Sequence, residues 1–114
     1  MRKTVSLCDN RRFLQLYRKG NCRVTGSFVL YYKPNKSEEN RLGITVGKKT
    51  VGNAVKRNRA KRIIREAYRL CEPALKTGYD FVIASKTKTP FLKTEDIRSD
   101  MMYAFGRENL IKED

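Results

Sequence analysis

Hydrophobic and polar positions along this chain follow two periods, and each change of period marks a new element. The first helical stretch covers residues 11–19, where Phe13, Leu16 and Tyr17 recur at i, i+3 and i+4 while Leu14 lies to the side. Asp9 and Asn10 stand where a helix cap belongs, and Gly20 with Asn21 ends the pattern. An extended piece at 22–25 leads into a strand at 27–33, rich in aromatic and branched side chains. Residues 34–40, PNKSEEN, read as a polar hairpin loop. Residues 41–48 alternate, with Leu42, Ile44 and Val46 on one face and Gly43, Thr45 and Gly47 on the other. The second face is small and polar, so something other than a filled core covers it or binds there. Ordinary hairpin register places Val29 and Tyr31 on that open face and sends Phe28, Leu30 and Tyr32 to the core.

Gly52 and Asn53 mark entry into a long helix, with Asn53 as its N-cap, and no Gly or Pro follows until Pro73. Ala60, Ile63, Ile64, Ala67 and Cys71 share one face of that helix. Asn58, Arg62, Arg65 and Arg69 share the opposite face, with Lys61 beside them and Arg57 at the apolar border. Residues 73–78 connect it to an apolar run at 79–85, read as a buried strand, and 86–90 form a loop. Thr94 is the expected cap of a last helix whose inner stripe is Ile97, Met101, Ala104 and Phe105. The order α-β-β-β-α-β-α predicts an α+β fold, a single small mixed sheet with helices packed on it. Residues 1–114 read as one domain, with ends expected to fray at about 1–8 and 107–114.

Charge turns this outline into a function. The net charge is +14, and residues 48–69 carry nine basic side chains against one acid, Glu66. A solvated helix face normally mixes signs at helical spacing, whereas Glu66 can answer only Arg62 or Arg69. A surface so unbalanced is costly to keep compact unless a polyanion neutralises it. Phe13 and Tyr17, flanked by Arg11, Arg12, Arg18 and Lys19, suit bases stacking in an electropositive groove; Leu16 suits core packing.

Catalytic chemistry finds no foothold. The chain has no histidine, no carboxylate cluster at metal-ligand spacing and no phosphate-binding glycine loop, since Gly43, Gly47 and Gly52 are too scattered. Cys8, Cys22 and Cys71 are odd in number and widely spaced, which fits free thiols in a reducing cytosol rather than zinc or disulfides. No apolar run approaches a membrane span, and no signal peptide is evident. The expectation is a cytoplasmic nucleic-acid binder with no catalytic or metal site of its own.

The stretch Val51-Gly52-Asn53-Ala54-Val55-Lys56-Arg57-Asn58-Arg59-Ala60-Lys61-Arg62, followed by Ile64-Arg65-Glu66, resembles the arginine-asparagine-arginine motif of the bacterial ribonuclease P protein component. Phe13, Tyr17, Gly20, Phe28 to Tyr31, Arg41-Leu42-Gly43, Val46, Lys48-Lys49 and Asp80-Phe81-Val82 fall in family order, so the likeness covers nearly the whole chain. Gly47 stands where a serine is common, and Thr50-Val51 is one residue longer than in some members. The resemblance implies a subunit of a ribonucleoprotein that removes the 5′ leader of precursor tRNA. Its catalytic RNA subunit performs the chemistry with Mg2+ bound mainly by the RNA, and no protein partner is required. Carried over, Lys49, Asn53, Arg57, Asn58, Arg59, Lys61, Arg62, Arg65 and Arg69 contact the RNA subunit. Phe13, Tyr17, Val29, Tyr31 and Thr45, with Lys49 and Arg57, line the leader cleft. An unusual left-handed β-α-β crossover around the basic helix is also implied, against the general preference.

Two other readings remain at this point. A general or ribosomal RNA-binding protein needs the same basic helix but no leader cleft. A self-sufficient nuclease needs acids or histidines that the chain does not cluster.

Overall fold

A computed structural model describes residues 3–113. β1 (Thr4–Ser6) precedes α1 (Asn10–Lys19), which Asp9 caps by accepting the Arg11 N–H at 2.9 Å. β2 (Asn21–Val24) and β3 (Phe28–Pro34) form a hairpin, closed by the Thr25 hydroxyl, which bonds both the Phe28 carbonyl and its N–H. β4 (Asn40–Thr45), α2 (Ala54–Cys71), β5 (Tyr79–Ser85) and α3 (Thr94–Arg107) complete the chain. The five strands make one mixed sheet in the order β1-β4-β5-β3-β2, with β4 and β5 parallel neighbours joined through α2.

The hairpin expected between β3 and β4 does not form, because β5 lies between them, antiparallel to β3 and parallel to β4. Phe81, Val82 and Ile83 are all buried, and a strand apolar on both faces is satisfied only where both faces are covered. The face assignment survives the rearrangement. Tyr31 pairs with Val82 and Val82 with Gly43; Val29 pairs with Ala84 and Ala84 with Thr45. β4 ends at Thr45, short of the expected residue 48, because the Gly47 carbonyl accepts the Thr50 and Val51 N–H groups in a turn.

One face of the sheet carries the main core. Phe28, Leu30, Leu42, Phe81 and Ile83 pack there against Ile63, Ile64 and Ala67 of α2 and Ile97, Met101 and Phe105 of α3. Tyr68 joins the α2 stripe, fully buried, with its hydroxyl 2.8 Å from Thr4 Oγ1. That bond anchors β1, so residues 4–6 are a strand beside β4 rather than a frayed end. The other end is also held, with Leu110 buried and Ile111 bridged to Leu75. Met1, Arg2 and Asp114 lie outside the described residues. α3 begins one residue earlier than expected. Lys93 takes the cap position, its N–H donating to Asp96 Oδ2 at 3.2 Å, and Thr94 is the first helical residue.

Glu108, just past α3, accepts Arg23 Nε at 3.0 Å and Nη2 at 2.5 Å from β2, and the Tyr32 hydroxyl at 2.8 Å from β3. The Arg23 hydrogen bonds hold its carboxyl below the usual carboxylate range, against the opposing effect of burial. A lowered carboxyl pKa adds stability that is present above the unfolded value and lost as pH falls through the folded one. Thermal melts of wild type and Glu108→Gln are therefore expected to differ clearly at neutral pH and to converge below about pH 4. A constant gap across that range would remove the ionised carboxylate from the account.

Candidate RNA interface

Three aromatic residues, Phe13, Tyr17 and Tyr31, lie on the second face of the sheet. α1 packs on it, tied down by Arg12 Nη1 to Asp80 Oδ2 at 3.3 Å, while Arg41 approaches the same carboxylate at 3.9 Å. Leu16 is buried with Leu7 and Val82, and Phe13 and Tyr31 pack at the margin of this small cluster. Phe13 lies directly on Gly43, where an added Cβ would stand 2.4 Å from the ring's Cζ. The small face is therefore partly closed, and Gly43 is glycine because an aromatic ring occupies its side-chain space. Only the next rung stays open: Val24 is 61% exposed, and Val29, Ala84 and Thr45 are half-buried. The Tyr17 hydroxyl donates to Thr45 Oγ1 at 3.3 Å, and its ring meets Tyr31 edge-on with centroids 4.9 Å apart. Phe13, Tyr17, Val29, Tyr31 and Thr45 thus share one cleft, beside a hollow of about 490 Å³ lined by Asn10, Phe13, Leu14, Tyr17 and Thr45.

Val24, Val82 and Ala84 belong to this face, and sequence reasoning misses them. The signal is available for β5, where Val82 and Ala84 alternate with Phe81 and Ile83, but an all-apolar run conceals its own alternation. Cys22 stands in the same row as Tyr31 and is exposed, as is Cys8; Cys71 is buried, and burial pushes its thiol up to about 11.

The basic helix sorts its expected contacts into two groups. Asn53 Oδ1 is used as the helix cap, accepting the Val55 and Lys56 N–H groups at 2.8 and 3.2 Å. Arg57 Nη1 donates to the Val51 and Gly52 carbonyls at 3.1 and 2.8 Å, which fixes the exit of the turn carrying Lys49. Arg69 makes a two-pronged bond to Glu66 at 3.0 and 2.6 Å, and those bonds lower the Glu66 carboxyl pKa. In contrast, Lys49, Arg59, Lys61, Arg62 and Arg65 are exposed and make no ion pair among the described residues. Asn58 is exposed beside them.

Lys61 and Arg65 line a groove of about 220 Å³ together with Cys8, Phe13, Gly43 and Ile44. β1 pairs with β4 only as far as Leu42, so the strand's upper edge is open between α1 and α2. Phe13 lines both hollows. The cations of α2 and the aromatic cleft are therefore one continuous surface that wraps around the edge of β4. Among the described residues, no group of three or more His, Cys, Asp or Glu gathers to hold a metal ion, and no helix is long and apolar enough to cross a membrane.

Known proteins resemble this chain over nearly its full length. The family model described as Ribonuclease P matches residues 1–109. A ribonuclease P protein component of Syntrophus aciditrophicus is 40% identical over 108 residues, covering 95% of this chain and 90% of that protein. One from Oceanobacillus iheyensis is 33% identical over 113 residues, covering 98% and 93%. Among solved structures, the RNase P protein of Staphylococcus aureus superposes with a TM-score of 0.80 at 29% identity, covering 94% of this chain and 97% of that one. The Thermotoga maritima protein follows at 0.79 and 27%, covering 90% and 96%. Matched by family model, by sequence and by fold over nearly its full length, the chain belongs to the ribonuclease P protein family.

Proposed function

We propose that this chain is the protein subunit of a cytoplasmic ribonuclease P, which removes the 5′ leader of precursor tRNA by endonucleolytic cleavage. The free cations of α2 hold the catalytic RNA subunit, and the cleft beside α1 holds the single-stranded leader. The observation that carries this reading is the continuity of the two surfaces around the edge of β4, with Phe13 lining both.

A leader varies in sequence, so recognition relies on stacking and backbone charge rather than on base-edge hydrogen bonds. Tyr17, Tyr31 and Phe13 offer ring surface, and the Val29 and Ala84 rung offers a flat apolar floor. Arg62 and Arg65 can grip phosphates with two parallel bonds each, which lysine cannot do. In this reading the RNA subunit performs the hydrolysis and holds the magnesium. The protein's own work is to bind, orient and neutralise.

Precursor-tRNA cleavage at low magnesium, with protein alone, RNA subunit alone and both together, tests this. Cleavage is expected only, or far faster, with both present. Cleavage by the protein alone would place the chemistry on the chain. Binding of the RNA without any gain in cleavage would make it a general RNA binder.

A further inference from the structure

Phe91 is 67% exposed, and no role for it follows from the leader cleft or the free cations of α2. An exposed apolar side chain standing singly needs no explanation, but the turn that carries this ring is held in place. It ends a 3-10 turn, Thr89–Phe91, whose Thr89 and Pro90 are buried. Thr89 Oγ1 donates to the Ser27 carbonyl at 2.6 Å and accepts the Lys86 N–H at 2.9 Å, and the Phe91 N–H donates to the Lys88 carbonyl at 3.0 Å. The turn packs on α2, where Lys56 Nζ sits 4.8 Å from the ring centroid and Val55 is 76% exposed.

The surroundings are cationic. Lys86, Lys88 and Lys93 fall within residues 85–93 with no acid among them, and α2 supplies Lys56 and Arg59 before its first acid, Glu66. The next acids along the chain are already engaged: Glu95 with Arg98, Asp96 with the Lys93 N–H, and Asp100, which reaches the depression at Gly26, with the Ser27 hydroxyl at 2.6 Å. Beside the turn, Gly26, Thr50, Ser85, Lys86, Thr87 and Lys88 line a wide depression of about 500 Å³. A ring on a fixed turn, set in a lysine- and hydroxyl-rich surface, matches an occupant that is both flat and anionic, which a protein partner's apolar patch is not.

We infer that Phe91 is a stacking platform for an unpaired base of the RNA subunit, with Lys56 over the ring and Lys88 in the adjoining depression for the neighbouring phosphates. This rests on the proposed RNA-binding role. The turn packs on α2, whose free cations are assigned above to the RNA subunit, so its occupant is assigned to the RNA subunit rather than to the leader.

Full-length protein titrated with the RNA subunit tests the platform. Phe91→Ala is expected to bind roughly tenfold more weakly, as loss of one stacked base predicts, with an unchanged salt slope and unchanged melting temperature. The chain has no tryptophan, so Phe91→Trp introduces a single indole whose emission should be quenched by the RNA subunit but not by a free leader oligonucleotide. Wild-type affinity in Phe91→Ala, or an indole indifferent to the RNA subunit, would overturn the inference while leaving wild-type binding intact. Quenching by the leader oligonucleotide alone would assign the ring to the substrate and overturn it equally. Failure of the wild-type protein to bind the RNA subunit would instead overturn the parent reading.

Discussion

Replacing Arg62 and Arg65 together with alanine is expected to weaken binding to the RNA subunit by at least about 100-fold at low salt, with each charge-assisted contact worth about 1.5–3 kcal/mol. The slope of log affinity against log salt should flatten by about two units, one for each phosphate no longer neutralised. Both guanidinium groups are exposed and without an ion pair among the described residues, so their full charge is available to RNA. Neither supports the core, and removing two like charges from a crowded face should leave the melting temperature unchanged or slightly raised. Arg69→Ala is the control. Its guanidinium is already held by Glu66, so its loss should cost much less affinity. Unchanged affinity and slope in the double variant would remove these residues from the interface, and an equal loss in Arg69→Ala would show that position along α2, not free charge, governs binding.

Gly43→Ala is expected to disrupt the leader cleft while sparing RNA-subunit assembly. The new methyl group would stand 2.4 Å from Phe13 Cζ and 2.7 Å from Cε1, closer than packed carbons approach, so the ring must move. Overpacking of this kind costs about 1–3 kcal/mol of stability. The fold should tolerate that loss, because the ring sits at the margin of its cluster. Displacing a stacking ring is expected to lower the preference for precursor over mature tRNA by roughly tenfold, in line with about 1–3 kcal/mol per stacked base. Tyr31→Ala, which also removes the edge contact to Tyr17, should act in the same direction without the steric clash. Comparative binding of precursor and mature tRNA by the assembled particle measures both. If Gly43→Ala left the preference intact but abolished assembly, Phe13 would serve the fold of α1 and not the leader.

Much of the site is legible in the sequence because its parts are local. Asn53 as cap, Arg57 at the border and Ala60, Ile63, Ile64, Ala67 and Cys71 as the inner stripe need only the geometry of one helix. The alternation of Gly43 and Thr45 against Leu42 and Ile44 likewise needs only one strand. The features that stay hidden all depend on a neighbour in space. That β5 separates β3 from β4 is masked by the short polar connection at 35–39, which looks like a hairpin loop. It is held instead by Asn35, which donates to the Glu39 carbonyl and to Asp80 of β5. β1 leaves no trace because three residues carry no periodicity, and its place is set by the distant Thr4–Tyr68 bond.

Sequence by itself therefore determined the helices, their faces, the lopsided charge of α2 and the set of aromatic residues, because spacing along one element decides them. Tertiary structure alone decided which cations remain free. Arg12, Arg23 and Arg69 meet carboxylates across the fold or along the helix, and Arg57 meets backbone carbonyls, while Arg62 and Arg65 meet nothing charged among the described residues. It also decided that Phe13 fills the space above Gly43, turning an open face into a cleft with one closed end. The physical reason is range: periodicity acts over a few residues, whereas pairing, burial and charge neutralisation are settled between groups far apart in the chain.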